Sequence, residues 1–293
     1  MAETKTIEVE ANGIRFTALE QGSGQLMLCV HGFPDNALTW RHQMPVLAAA
    51  GYRVVAPYTR GYAPTSASPT GTYQTAALGR DIIGLIDVLS PDRPAVVFGH
   101  DWGALGSYAA ALHAPHRIEK LVAASVPYGP SMTTAFLTNY AQQKRSWYVF
   151  FFLTMMAETA VAHDGMSFIR NLWHEWSPTW EFTEADIAPV LETLGKPGVL
   201  TAAIAYYRCL FDPALLDPAL MDEQMRYGVE PVRVPTLYIH GTNCGCMGAE
   251  LIDGMEAAFP AGLEKALIEG AGHFVHREKP GEVTARVLRY LGK

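Results

Sequence analysis

The stretch FGHDWGALGSY (98–108) holds a carboxylate where a nucleophile turn more often holds a serine: Gly99, Asp101 and Gly103 form G-x-D-x-G. Such a turn leads a strand into a helix and lifts its central side chain above the sheet, and small neighbours let the backbones approach. A carboxylate is ionised at neutral pH and needs no base to activate it. It attacks amides poorly and suits displacement at a saturated electrophilic carbon, giving an alkyl ester. The plainer reading of Asp101 is a helix N-cap. An ester would need water, a base and an oxyanion hole. His273, in GAGHFVHREKP (270–280), is the expected base, because imidazole titrates near neutrality. His276 is expected at the surface or in packing, and His31 and His100 are expected to hydrogen-bond to loops. The backbone N–H groups of Phe33, in HGFPD (31–35), and of Trp102 are the expected oxyanion donors.

These residues must be positioned by strands and helices, and the first third of the chain alternates the two. Residues 7–13 and 14–22 read as a hairpin with Asn12-Gly13 at its turn. Apolar runs at 26–32, 52–59, 95–101 and 118–127 read as buried strands, with helices at 38–50, 73–89 and after Asp101. From 129 to 229 no strand-like run occurs, and aromatics, Met and helical spacing dominate. Alternation resumes with strands at 234–241 and 263–270, a helix at 249–259 and a closing helix. The fold class is therefore α/β, a mainly parallel sheet with helices on both faces. Residues 1–128 and 230–293 form its core, and 129–229 form an inserted helical cap. Ligands bind beyond the carboxyl ends of such strands, where HGFPD, GHDWG and HGTNCG all fall.

Composition narrows the partners. The chain has 293 residues and a net charge of −7 with no basic cluster, which argues against nucleic acid. The most apolar window, 146–162, is too short for a bilayer, and the N-terminus has no signal-peptide pattern, so a cytoplasmic protein with no membrane partner is expected. The four cysteines match no zinc spacing and are expected as free thiols, with no cofactor and no metal. Either a monomer or a homodimer fits.

Taken together, HGFPD at 31–35, GHDWGA at 99–104 and GAGHF at 270–274 resemble the α/β-hydrolase superfamily, and within it the branch with an Asp nucleophile: epoxide hydrolases and haloalkane dehalogenases. The resemblance covers nearly the whole chain. It implies an eight-stranded sheet with a cap, and catalysis through a covalent alkyl-enzyme. SWYVFFF (146–152) looks like the first tyrosine segment of the epoxide hydrolases, and AIAYYRCLF (203–211) like the second. They map the oxirane-oxygen donors onto Tyr148 and Tyr207. Phe33 after the HG leans the same way, since dehalogenases often carry Asn there or use a cap Trp. Trp147, Trp173, Trp176 and Trp180 leave the dehalogenase reading open. The leading expectation is a hydrolase of ether bonds that converts a small apolar or aryl epoxide to a diol.

One position departs from the family. The triad acid is usually an Asp in a G-x-x-D-x-C context, and here HGTNCGCMG puts Cys244 at that place. The other known location falls near Ser125. Replacing such an Asp by a neutral group has cost about 10⁴ in rate in a serine protease. Three readings stay open. Asn243 or Cys244 orients His273; Glu250 or Asp253 reaches in; or ester hydrolysis is impaired, which also keeps open a ligand-binding member that does not turn over.

Overall fold

The computed structural model describes residues 3–293; Met1 and Ala2, at the start of the expected core segment, lie outside them. Eight strands form one sheet: β1 (Lys5–Ala11), β2 (Ile14–Gly22), β3 (Gln25–Val30), β4 (Tyr52–Pro57), β5 (Ala95–His100), β6 (Ile118–Ala124), β7 (Thr236–Gly241) and β8 (Leu263–Ile268). Their spatial order is β1-β2-β4-β3-β5-β6-β7-β8. The β1–β2 and β2–β4 pairs are antiparallel and every later pair is parallel. At the hairpin, Ala11 pairs with Ile14, and Asn12 and Gly13 have φ of 47° and 70°. Positive φ at both central residues is what a type I′ turn requires, and Asn-Gly supplies it. β5 and β7 are buried at every residue, as strands covered on both faces must be.

Helix α1 (Gln43–Ala49) precedes β4, and two helices border the elbow: α2 (Thr75–Leu89) and α3 (Trp102–His113). Gly79 and Gly106 let them approach. A Cβ at Gly79 would stand 2.8 Å from the Ala109 backbone, and one at Gly106 would stand 3.1 Å from the Leu78 Cβ. Between β6 and β7 the described residues contain helices and no strand.

Two expected helices differ from the structure. The one at 38–50 opens as a 3₁₀ turn, Ala37–His42, capped by the Asn36 side chain on the Leu38 N–H, and becomes α-helical only over Gln43–Ala49. The one at 249–259 is two 3₁₀ turns, Ala249–Ile252 and Met255–Ala258, separated by Asp253 and by Gly254 at φ +75°. The left-handed glycine interrupts the helical ladder.

A buried ion pair ties the loop after β4 to α2. Arg60 donates from Nε to Asp81 Oδ2 at 2.6 Å and from Nη2 to Oδ1 at 2.7 Å. Asn12 adds a bond to Asp81, and the Thr72 carbonyl accepts from Arg60. Removing one partner leaves the other charge buried and unpaired. Arg60→Met should therefore lower the free energy of unfolding in urea by about 3–5 kcal/mol. Arg60→Met combined with Asp81→Leu should recover most of the loss.

Candidate active site

Asp101 joins β5 to α3 with φ 54° and ψ −120°, a conformation that L-residues seldom hold. Tight backbone contacts hold it there. A Cβ on Gly103 would collide with the Val30 carbonyl, and one on Gly32 would stand 2.6 Å from the Trp102 nitrogen and collide with the Asp101 carboxylate. The carboxylate does not cap α3, so the plain N-cap role fails. Instead Oδ1 accepts the Phe33 N–H at 2.8 Å, and Oδ2 lies 3.5 Å from His273 Nε2. One oxygen is thus held by an amide, and the other faces the imidazole.

The His273 loop is fixed through its backbone. Its carbonyl accepts from Ser125 Oγ at 2.6 Å and lies 2.9 Å from His100 Nε2, and its N–H donates to the Trp176 carbonyl at 3.0 Å. The neighbouring Gly272 N–H donates to Glu278 at 2.7 Å. His100 therefore does hydrogen-bond to a loop, and so does His31, whose Nε2 accepts the Thr59 N–H. His276 is not at the surface: it is fully buried, 2.6 Å from Thr39 Oγ1 and packed on the rings of Trp40 and His100.

Electrostatics set His273 apart. Desolvation lowers His31 and His240 to about 4 and holds His100 and His276 well below the ordinary imidazole value. Desolvation also disfavours charge on His273, but Cys246 and the Asp101 carboxylate outweigh it and hold the group well above that value. Burial raises the Cys246 thiol, and the neighbouring His273 imidazole opposes that rise.

At the triad-acid position, Cys244 Sγ lies 3.6 Å from His273 Nδ1 and accepts the Met247 N–H at 3.4 Å. The other candidates point elsewhere. Asn243 is exposed, because the chain leaving β7 turns its side chain to solvent. Glu250 pairs with Arg145, and Asp253 is exposed on its turn. Neither carboxylate among the four candidate positions reaches His273.

The helices Trp147–Phe151 and Val199–Arg208 bring Tyr148 and Tyr207 together, with ring centroids 5.7 Å apart. Tyr207 also packs edge-on against Trp102 at 5.1 Å and Phe33 at 5.4 Å. Both phenols are pushed well above 10 by burial first and by Asp101 and Cys246 besides, so both remain O–H donors. The Tyr207 hydroxyl is buried with no hydrogen bond of good geometry, the Trp102 indole lying beside it, whereas Tyr148 Oη contacts Cys246 Sγ at 3.4 Å. Trp176 packs on Tyr148 and His273, and its indole N–H is likewise unpartnered. Sequence reasoning gave no role to Cys246, and it placed Trp176 only among four tryptophans that could serve a halide site. The C-x-C spacing of Cys244 and Cys246 was the only signal for the first, and nothing local singled out the second from the other three tryptophans.

The alpha/beta hydrolase fold family matches residues 25–280. The chain belongs to the α/β-hydrolase family. This α/β-hydrolase is 30% identical to "Epoxide hydrolase A" of Mycobacterium tuberculosis, over 97% of this chain and 96% of that one. It is 31% identical to the "AB hydrolase superfamily protein YfhM" of Bacillus subtilis, with the same coverage. Among solved structures it superimposes on a Bacillus megaterium epoxide hydrolase in complex with an inhibitor at a TM-score of 0.84, with 27% identity over 98% of this chain and 100% of that one. Epoxide Hydrolase A from Mycobacterium thermoresistibile gives 0.83, with 26% identity over 99% and 98%. Among the described residues no helix is long and apolar enough to cross a membrane.

Proposed function

We infer that this α/β-hydrolase is an epoxide hydrolase that works through a covalent ester on Asp101. The observation that carries the reading is the split carboxylate: Oδ1 is held by the Phe33 amide, Oδ2 faces the His273 imidazole, and the paired rings of Tyr148 and Tyr207 adjoin Phe33 and Trp102 through Tyr207. Oδ2 attacks an oxirane carbon, the carbon–oxygen bond breaks, and the departing oxygen takes a proton from Tyr148 or Tyr207. His273 Nε2 then removes a proton from water, which attacks Cγ of the ester. The Phe33 and Trp102 amides hold the oxyanion. Collapse expels the second oxygen of the diol, which takes the proton of the incoming hydroxyl and so restores the carboxylate, and the proton held by His273 returns to the tyrosinate. Residues 129–229 serve as the cap, and their aromatic lining suits a small apolar or aryl epoxide. We place the protein in the cytoplasm.

Ester formation also prepares the base. Asp101 is one of the charges that hold His273 protonated, and esterification removes it. The imidazole then releases its proton more readily, which supplies the base that hydrolysis needs. The sign follows: kcat should rise with pH as His273 becomes neutral in the ester. It should level off at a lower pH than that at which NMR shows His273 losing its proton in the free enzyme. Coincident midpoints would contradict this coupling.

Tyr207→Phe tests the donor role cleanly. Its hydroxyl makes no hydrogen bond of good geometry and has only the Trp102 indole beside it, so its removal should change the melting temperature little. The rate of ester formation should fall about 10²-fold, the usual scale for a positioned acid. The unpartnered Trp176 indole is the one observation that favours a dehalogenase. Halide release from haloalkanes, without diol formation from styrene oxide, would establish that reading instead.

A further inference from the structure

Catalysis as described leaves one buried group at its centre unused. Cys246 Sγ, a His273 ring nitrogen and an Asp101 oxygen all lie within 4.8 Å of one another, and all three side chains are buried. The imidazole's Nε2 has no hydrogen bond of good geometry. A second triple, Asp35, His100 and His276, is equally compact. There, however, the Arg277 guanidinium stands 3.7 Å from Asp35 and already supplies a positive charge.

We propose that Asp101, Cys246 and His273 form a binding site for a thiophilic divalent cation of the zinc, cadmium or cobalt class, which closes the reactive centre reversibly. Zinc bonds of about 2.0–2.3 Å to oxygen, nitrogen and sulfur put neighbouring tetrahedral ligand atoms roughly 3.3–3.8 Å apart. Asp101 Oδ2 and His273 Nε2 already stand 3.5 Å apart, and small side-chain rotations bring the sulfur in. The surroundings suit such a site. Cys244 Sγ faces the other ring nitrogen at 3.6 Å, where a bound imidazole needs an outer acceptor. Tyr148 Oη, 3.4 Å from Cys246 Sγ, donates to the thiolate that binding creates. The thiol proton passes to solvent as the metal–sulfur bond forms. Sulfur and imidazole select these ions over magnesium or calcium. A bound ion occupies both the nucleophile and the base, so it prevents ester formation. That consequence rests on the proposed function; the binding itself does not.

Titration of chelator-treated full-length protein with Co²⁺ tests the site optically. The expected result is one Co²⁺ per chain with thiolate-to-cobalt charge-transfer absorption, displaced by Zn²⁺, lost in Cys246→Ala and retained in Cys209→Ala. His273→Ala and Asp101→Ala should each weaken binding, and they serve if Cys246→Ala does not fold. No thiolate band, or a band that survives Cys246→Ala, overturns the site. In a parallel arm, Zn²⁺ should block adduct formation with styrene oxide, and chelator should restore it. A cobalt band in protein that forms no adduct even when metal-free upholds the metal site and overturns the epoxide reading instead.

Discussion

Cys244→Asp should speed turnover by about 10²–10⁴, the range set by the loss that follows when a triad Asp is made neutral. In the native chain Cys244 Sγ stands 3.6 Å from His273 Nδ1 and also accepts a backbone N–H. A thiol there can orient the ring, but it offers no charge to stabilise the imidazolium that forms when His273 takes a proton from water. Alkylation should not depend on that position, because Asp101 faces the other ring nitrogen, Nε2. The native enzyme should therefore show a burst of ester followed by slow release of diol. In Cys244→Asp the burst should shrink as hydrolysis catches up. Rapid-quench measurement of protein-bound ester and of diol against time reads both phases. Equal steady-state rates, with folding intact by thermal melt, would show that the thiol already suffices.

The second large effect is expected in His273→Gln. Removing the general base should lower kcat by about 10²–10⁴ and leave the ester-forming step in place. Asp101 should then accumulate as a stable ester, near one per chain. The variant should keep the fold, because the loop is held through the His273 carbonyl and N–H by Ser125, His100 and Trp176 and not through the ring. Intact-mass measurement after mixing with styrene oxide reads the stoichiometry. A variant that neither forms an ester nor makes diol would place His273 in the first step as well.

How much of this was legible in the sequence follows from where the constraints lie. Asp101 was readable because it sits at the end of an apolar strand and glycines at fixed offsets mark the backbone crossings beneath it, and His273 because it lies in a glycine-marked loop after the last strand. The sheet was readable for the same reason: unbroken apolar runs bounded by turn residues fit little besides buried strands. The turns at 249–258 were misread as a helix because apolar spacing survives an interruption that a single glycine imposes. His276 stayed open between surface and packing because its burial comes from Trp40 and Thr39, far away in the chain. Trp176 holds the His273 loop through a backbone carbonyl, which no side-chain pattern announces. Cys246 meets Tyr148 and His273 only after the helical segment has folded back over the sheet. Tyr148 and Tyr207 were found by resemblance, and their shared position over Phe33 and Trp102 is a property of the packing.

The central claim is that substrate becomes bonded to Asp101. The most direct measurement is rapid-quench peptide mass mapping of the native protein, taken milliseconds to seconds after mixing with styrene oxide. The account predicts one added epoxide mass on the peptide that carries Asp101, appearing before the diol and lost as the diol forms. Diol produced at full rate with Asp101 unmodified throughout, or an adduct confined to another residue, would contradict it.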